Sequence, residues 1–174
     1  MKLSYLLSVF LASLAVASPI AIPHGADDVN LTTHKYYYFT VEWPLGAALG
    51  DGDKESDVEL KALQQQLGFE HIGVVVGQIT ETGSGKGKNK KTKRDFKSTL
   101  YHMTKKNKVP GDTEFKSVNY RADSKGLTFR GETSKKKADG AKKAGKDYVN
   151  QNGIYKVQGN NCADFTTTVL SALN

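Results

Sequence analysis

Residues 69–80 read Phe-Glu-His-Ile-Gly-Val-Val-Val-Gly-Gln-Ile-Thr, a β-branched run in which Ile72, Val74 and Val76 fall on one side and His71, Gly73, Val75 and Gly77 on the other. This is a strand, and its neighbours set the class of fold. Just upstream, Ser56-Asp57-Val58-Glu59 has the form of a capping box that opens a helix running to Leu67, with Val58, Leu60, Leu63 and Leu67 on or near one face and Gly68 as its stop. Before it, Lys35 to Trp43 (KYYYFTVEW) is aromatic and β-branched and reads as a strand ended by Pro44. Downstream, a Gly/Lys loop over Glu81 to Arg94 leads into strands at Asp95 to Lys105, Glu114 to Arg121 and Leu127 to Glu132, with Pro110-Gly111-Asp112 as a turn. Ser134 to about Gln151 is a lysine- and alanine-rich helix interrupted by Gly140 and Gly145. Ile154 to Val157 is a short extended piece, and Asn161 to Leu173 a last helix. With no internal repeat and no second domain, residues 34–174 are expected to form one α+β domain, an antiparallel sheet packed with helices.

The residues before that domain belong to export. Lys2, the apolar run Leu6 to Leu14 and the small residues Ala15-Val16-Ala17 make residues 1–17 a cleavable signal peptide, too short and too serine-interrupted to span a bilayer. No later segment reaches transmembrane length, so the mature protein is expected to be secreted and soluble. Residues 18–33 read as a loose leader, and Asn30-Leu31-Thr32 is a glycosylation sequon usable on that route, with Asn30 as acceptor. Lys93-Arg94 is a dibasic pair expected at an exposed loop tip, open to a secretory-pathway protease. The chain carries 25 Lys and Arg against 18 Asp and Glu, a net charge of +7, with the excess concentrated in Lys86 to Arg94, Lys105-Lys106, Lys135 to Lys137 and Lys142-Lys143. Such runs are ordinarily solvated faces; the sharper reading is attraction to an anionic surface, whether lipid head groups, acidic polysaccharide or RNA. The Gly/Lys loop is not a phosphate-binding loop, because its glycines miss the required spacing and Lys88 is followed by Asn89.

Cys162 is the only cysteine, so no disulfide can form within the chain. A lone thiol in an oxidising compartment is buried and inert, pairs between chains, or does chemistry. Its setting bears on that choice. Asn161 is a good N-cap and Asp164 stands at N3, which puts Cys162 at the first helical position, where free N–H groups and the positive end of the helix dipole favour a thiolate. Phe165, Val169 and Leu170 form the stripe that would anchor this helix. A cysteine nucleophile needs a base, and a base needs a group to orient it. His24 and His34 lie in or beside the leader; His71 and His102 lie on neighbouring strands and could converge, with Gly73 and Gly77 leaving room for another element and the last helix packed across them. Taken singly, each histidine is equally a surface or satisfied side chain.

These residues, taken in order, carry a resemblance. HIGVVVG around His71, a second histidine closing TLYH on the next strand, and NCADF opening a helix resemble the circularly permuted papain-like fold of the NlpC/P60 superfamily, and more narrowly its lecithin:retinol acyltransferase-like branch. The similarity spans about Phe69 to Leu173. It implies Cys162 as nucleophile, His71 as the base that takes its proton and His102 as the group that orients His71, forming a thioacyl-enzyme from an amide or ester. It implies no cofactor and no metal. The motifs depart from the family pattern at Ala163-Asp164, where NCEHF has Glu-His, and at Val75, where a tyrosine is usual; the loop between the histidines is longer and basic. Retinol esterification is therefore not implied, and the acyl substrate stays open.

Two other readings stand beside a secreted thiol hydrolase or acyltransferase. One is a small basic ribonuclease or ribotoxin with His71 and His102 as acid and base, although small secreted nucleases are commonly stapled by disulfides. The other is a non-catalytic secreted binding or effector protein that keeps the scaffold.

Overall fold

The aromatic run after Lys35 forms strand β1 (Tyr36–Pro44), and Gly68, at φ +82°, ends helix α1 (Val58–Leu67) and turns the chain into β2 (Phe69–Ser84). β3 (Lys91–Lys105), β4 (Gly111–Tyr120), β5 (Leu127–Thr133), α2 (Lys135–Gln151), β6 (Ile154–Tyr155) and α3 (Cys162–Ser171) follow. The computed structural model describes residues 31–46, 58–84, 91–106, 111–121 and 127–174. The expected signal peptide (residues 1–17), His24, Asn30 and Ser56 lie outside them. The strands make one six-stranded antiparallel sheet in the order β5-β1-β2-β3-β4-β6, and the three helices pack against it in a single α+β domain.

β2 runs through the middle of the sheet, and the alternation read from its sequence is buried on both sides. Val74 and Val76 join Tyr38, Tyr101 and Met103 under the apolar stripes of α2 and α3, which are Ala138 and Ala141 from one helix and Phe165 and Val169 from the other. Val75 and Ile79 join Tyr37, Phe39, Phe96, Leu100 and Leu127 on the opposite face. Leu31, read from sequence as part of the leader, is buried in this second cluster, so the packed structure begins before residue 34.

Three expectations change. The Gly/Lys segment is not a loop from Glu81 onward: β2 continues to Ser84 and β3 starts at Lys91, with Glu81 opposite Arg94 and Thr82 opposite Lys93. β1 leaves β2 beyond Gln78, and β4 joins β3 only from Ser98, so Ile79–Ser84 and Lys91–Phe96 form a two-stranded ribbon. Lys93-Arg94 thus sits in a ladder rather than at a loop tip, and Arg94 is tied further by an ion pair to Glu81 at 3.2 Å and a bond to the Leu31 carbonyl at 2.6 Å. Gly111-Asp112, expected in a turn, pair with Tyr155 and Ile154. α2 is not interrupted: Ser134 caps it by accepting from the Lys137 amide, and Gly145 lies buried where a Cβ would stand 2.8 Å from the Phe115 ring, so its glycine serves close approach of the helix to β4.

Candidate functional site

α3 begins as its sequence predicts. The Asn161 side chain accepts from the amides of Ala163 and Asp164, and the Asp164 carboxylate accepts from the Asn161 amide at 3.1 Å, a complete capping box. Cys162 is therefore the first residue of the helix, and it is 4% exposed. The backbone amides of Ile72, Cys162 and Ala163 reach its sulfur, and the Tyr155 hydroxyl donates to it at 3.9 Å. All of these favour a thiolate, but burial outweighs them and pushes the thiol above its ordinary value, so the resting side chain is a neutral thiol. The same burial holds the Tyr155 phenol well above its ordinary value, so it is a permanent donor.

The two histidines meet. His71 Nε2 and His102 Nδ1 are 2.9 Å apart, with ring centroids separated by 5.2 Å. Burial is the main cause that lowers both, His71 to about 3, with His102 adding to it, and His102 to about 4, with the nearby Lys116 adding to it. At neutral pH the pair is uncharged, with one proton in the bond between the rings. The room beside Gly73 is filled by β3 itself rather than by another element: a Cβ there would meet Leu100 Cδ1 at 2.8 Å and His102 Cβ at 3.1 Å. Trp43, opposite His71 on β1, lies 5.0 Å from that ring and 6.1 Å, nearly parallel, from His102.

The helix does not cross the histidines as expected. By alternation His71 and His102 share the face of Val75 and Leu100, whereas α3 lies along the face of Val74 and Val76. Only the head of α3 reaches the histidine end of β2. There the ladder between β2 and β3 has stopped at Val74/Tyr101 while β3 goes on beside β4 to Lys105, which leaves Phe69–Gly73 paired with β1 alone. The thiol thus meets the amide of Ile72, the residue after His71, and among the described residues it has no hydrogen bond to either imidazole. His34 is exposed, with a positive φ of 67° at the entry to β1, and takes no part.

Tyr155 and Trp43 are the two site neighbours that sequence reasoning passed over. Trp43 was visible only as the last residue of an aromatic strand before Pro44, and Tyr155 as part of a short extended piece. Among the described residues no group of three or more His, Cys, Asp or Glu could hold a metal ion, and no helix is long and apolar enough to cross a membrane. Compared with protein-family models, with curated proteins and with solved structures, the chain gives no significant match.

Proposed function

We propose that the protein is a secreted thiol-dependent hydrolase or acyltransferase on a circularly permuted papain-like scaffold of the lecithin:retinol acyltransferase-like type. The observation that carries this reading is the sulfur of Cys162 at the head of a capped helix, ringed by three backbone amides and the Tyr155 hydroxyl, next to β2, which carries His71 of the hydrogen-bonded histidine pair. In the tautomer where His71 Nε2–H donates to His102 Nδ1, His71 Nδ1 keeps a lone pair and can take the thiol proton. Sγ then attacks the acyl carbonyl of an ester or amide. The carbonyl oxygen takes up the electron pair, the C–O or C–N bond breaks, and the leaving group departs with the proton from His71. Water or a second acceptor, deprotonated by the same imidazole, releases the thioacyl group. The Cys162 amide, which the Asn161 cap does not take up as it does those of Ala163 and Asp164, would receive the oxyanion. The basic surface, including the lysines of α2, favours an anionic substrate or interface, lipid or cell-wall material.

The neutral thiol and its lack of a bond to either imidazole favour, as a second reading, a binding or effector protein that keeps the scaffold without turnover. The ribonuclease reading is weakened, because two imidazoles bonded to each other at 2.9 Å are not spread across a phosphodiester. An activated acyl ester separates the remaining two. Intact mass after incubation is expected to gain one acyl group on Cys162, with none on Cys162→Ala and acylation about 10²–10⁴-fold slower in His71→Ala. A thiol that takes no acyl group, and alkylates at the same rate with and without His71, leaves the binding protein.

A further inference from the structure

We propose that Trp43 is the positioning residue of the histidine pair: its indole, set directly opposite His71, packs on both imidazoles and fixes the angle at which they meet. As a step in catalysis this rests on His71 being the base for Cys162; as geometry it stands alone. Among the described residues, the only hydrogen bond of either imidazole is the one to the other. A ring held by one bond can still swing about its Cβ–Cγ axis, so its orientation is set by what packs on it. β1, β2 and β3 each contribute one ring to a triangle: Trp43 to His71 at 5.0 Å, Trp43 to His102 at 6.1 Å and 22° between planes, and His71 to His102 at 5.2 Å. The backbone side of this triangle is closed by Gly73, which has no side chain to separate His102 from β2. The indole side is closed by Trp43, which is partly buried and packs in turn on the Phe39 cluster. Among the described residues the charged group facing the pair is Lys116 on β4, opposite His102 and bridged to Glu114 at 2.8 Å; the thiol of Cys162, on α3, meets the amide of Ile72, the residue after His71. An indole packed on both half-buried rings narrows the access of water to the bond between them and holds Nε2 facing Nδ1.

The chain holds a single tryptophan, so tryptophan fluorescence reports the surroundings of this indole alone. Imidazolium quenches a stacked indole. The emission is expected to fall on acidification with a midpoint below the ordinary histidine value of about 6.5, while circular dichroism stays constant, and the fall is expected to be lost in the His71→Gln/His102→Gln double variant. Ring NMR titrations complete the test: in Trp43→Ala both imidazoles are expected to move by about a unit or more toward 6.5, with Trp43→Phe close to wild type. The pH profile of Cys162 alkylation is expected to move with them. Imidazole titrations that are the same in Trp43→Ala and wild type overturn the proposal. So does indole emission in wild type that stays constant on acidification, which decides the matter from the folded wild type should Trp43→Ala not fold. An inert Cys162 alongside imidazoles that still follow Trp43 ends the enzyme reading and leaves the positioning role in place.

Discussion

Tyr155 and Cys162 face each other inside the protein, and the hydroxyl is the only side-chain donor to the sulfur among the described residues. A bond to an ionised acceptor is ordinarily worth about 1.5–3 kcal/mol, and this one is long, so its loss is set at roughly 1 kcal/mol. Tyr155→Phe removes a group that lowers the thiol's pKa while leaving the burial that raises it. The thiolate midpoint, read from iodoacetamide alkylation against pH, is expected to rise by about 0.7 units, and alkylation at neutral pH to slow about fivefold. An unchanged profile would mean that the hydroxyl does not hold the sulfur. At this scale the sequence was informative wherever a residue acts on its near neighbours. Asn161, Cys162 and Asp164 could be placed because a capping box is decided within four residues. Tyr155 and Trp43 could not, because what they touch comes from seven residues away around a turn in one case and from two other strands in the other.

Gly73 and Gly140 separate two meanings of glycine at the level of the element. At Gly73 a Cβ would stand 2.8 Å from Leu100 Cδ1 and 3.1 Å from both His102 Cβ and the Tyr101 carbonyl; at Gly140, on the exposed side of α2, it would meet nothing within 4 Å. In urea unfolding Gly73→Ala is expected to destabilise by about 1–3 kcal/mol through overpacking, and Gly140→Ala to stabilise by about 0.5–1 kcal/mol through helix propensity. A Gly73→Ala protein as stable as wild type would show that β2 and β3 can part without cost. The strands and helices were legible as elements because their apolar periods are local. The ribbon was not: Glu81 to Arg94 has the composition of a loop, and its pairing is imposed by the register that Val74 and Tyr101 begin further along. The face taken by α3 was missed for a related reason. Alternation tells that His71 and Val74 point apart, yet not which of them a distant helix will choose.

For the molecule as a whole, the histidine pair makes stability depend on pH. Both imidazoles are lowered in the folded state, to about 3 and about 4, chiefly by burial, while the unfolded chain takes up protons near 6.5. Between those values the unfolded state binds more protons, so stability is present above about pH 6.5 and is lost as pH falls toward 4. At about 1.4 kcal/mol per unit for each imidazole, the pair withdraws up to roughly 7 kcal/mol over that window. The urea midpoint is expected to drop between pH 7 and pH 4.5 in wild type and to drop distinctly less in His71→Gln/His102→Gln; equal slopes would mean that the pair titrates normally in the fold. The two-stranded ribbon has a different consequence, for how the chain meets a protease. A processing protease grips its substrate as a single extended strand laid in its own cleft, and Lys93-Arg94 is already committed to Thr82 and Glu81. Any protease that takes this pair as an extended strand must first part it from Thr82 and Glu81, so the rate of a cut there is scaled down by the fraction of molecules in which that ladder is open.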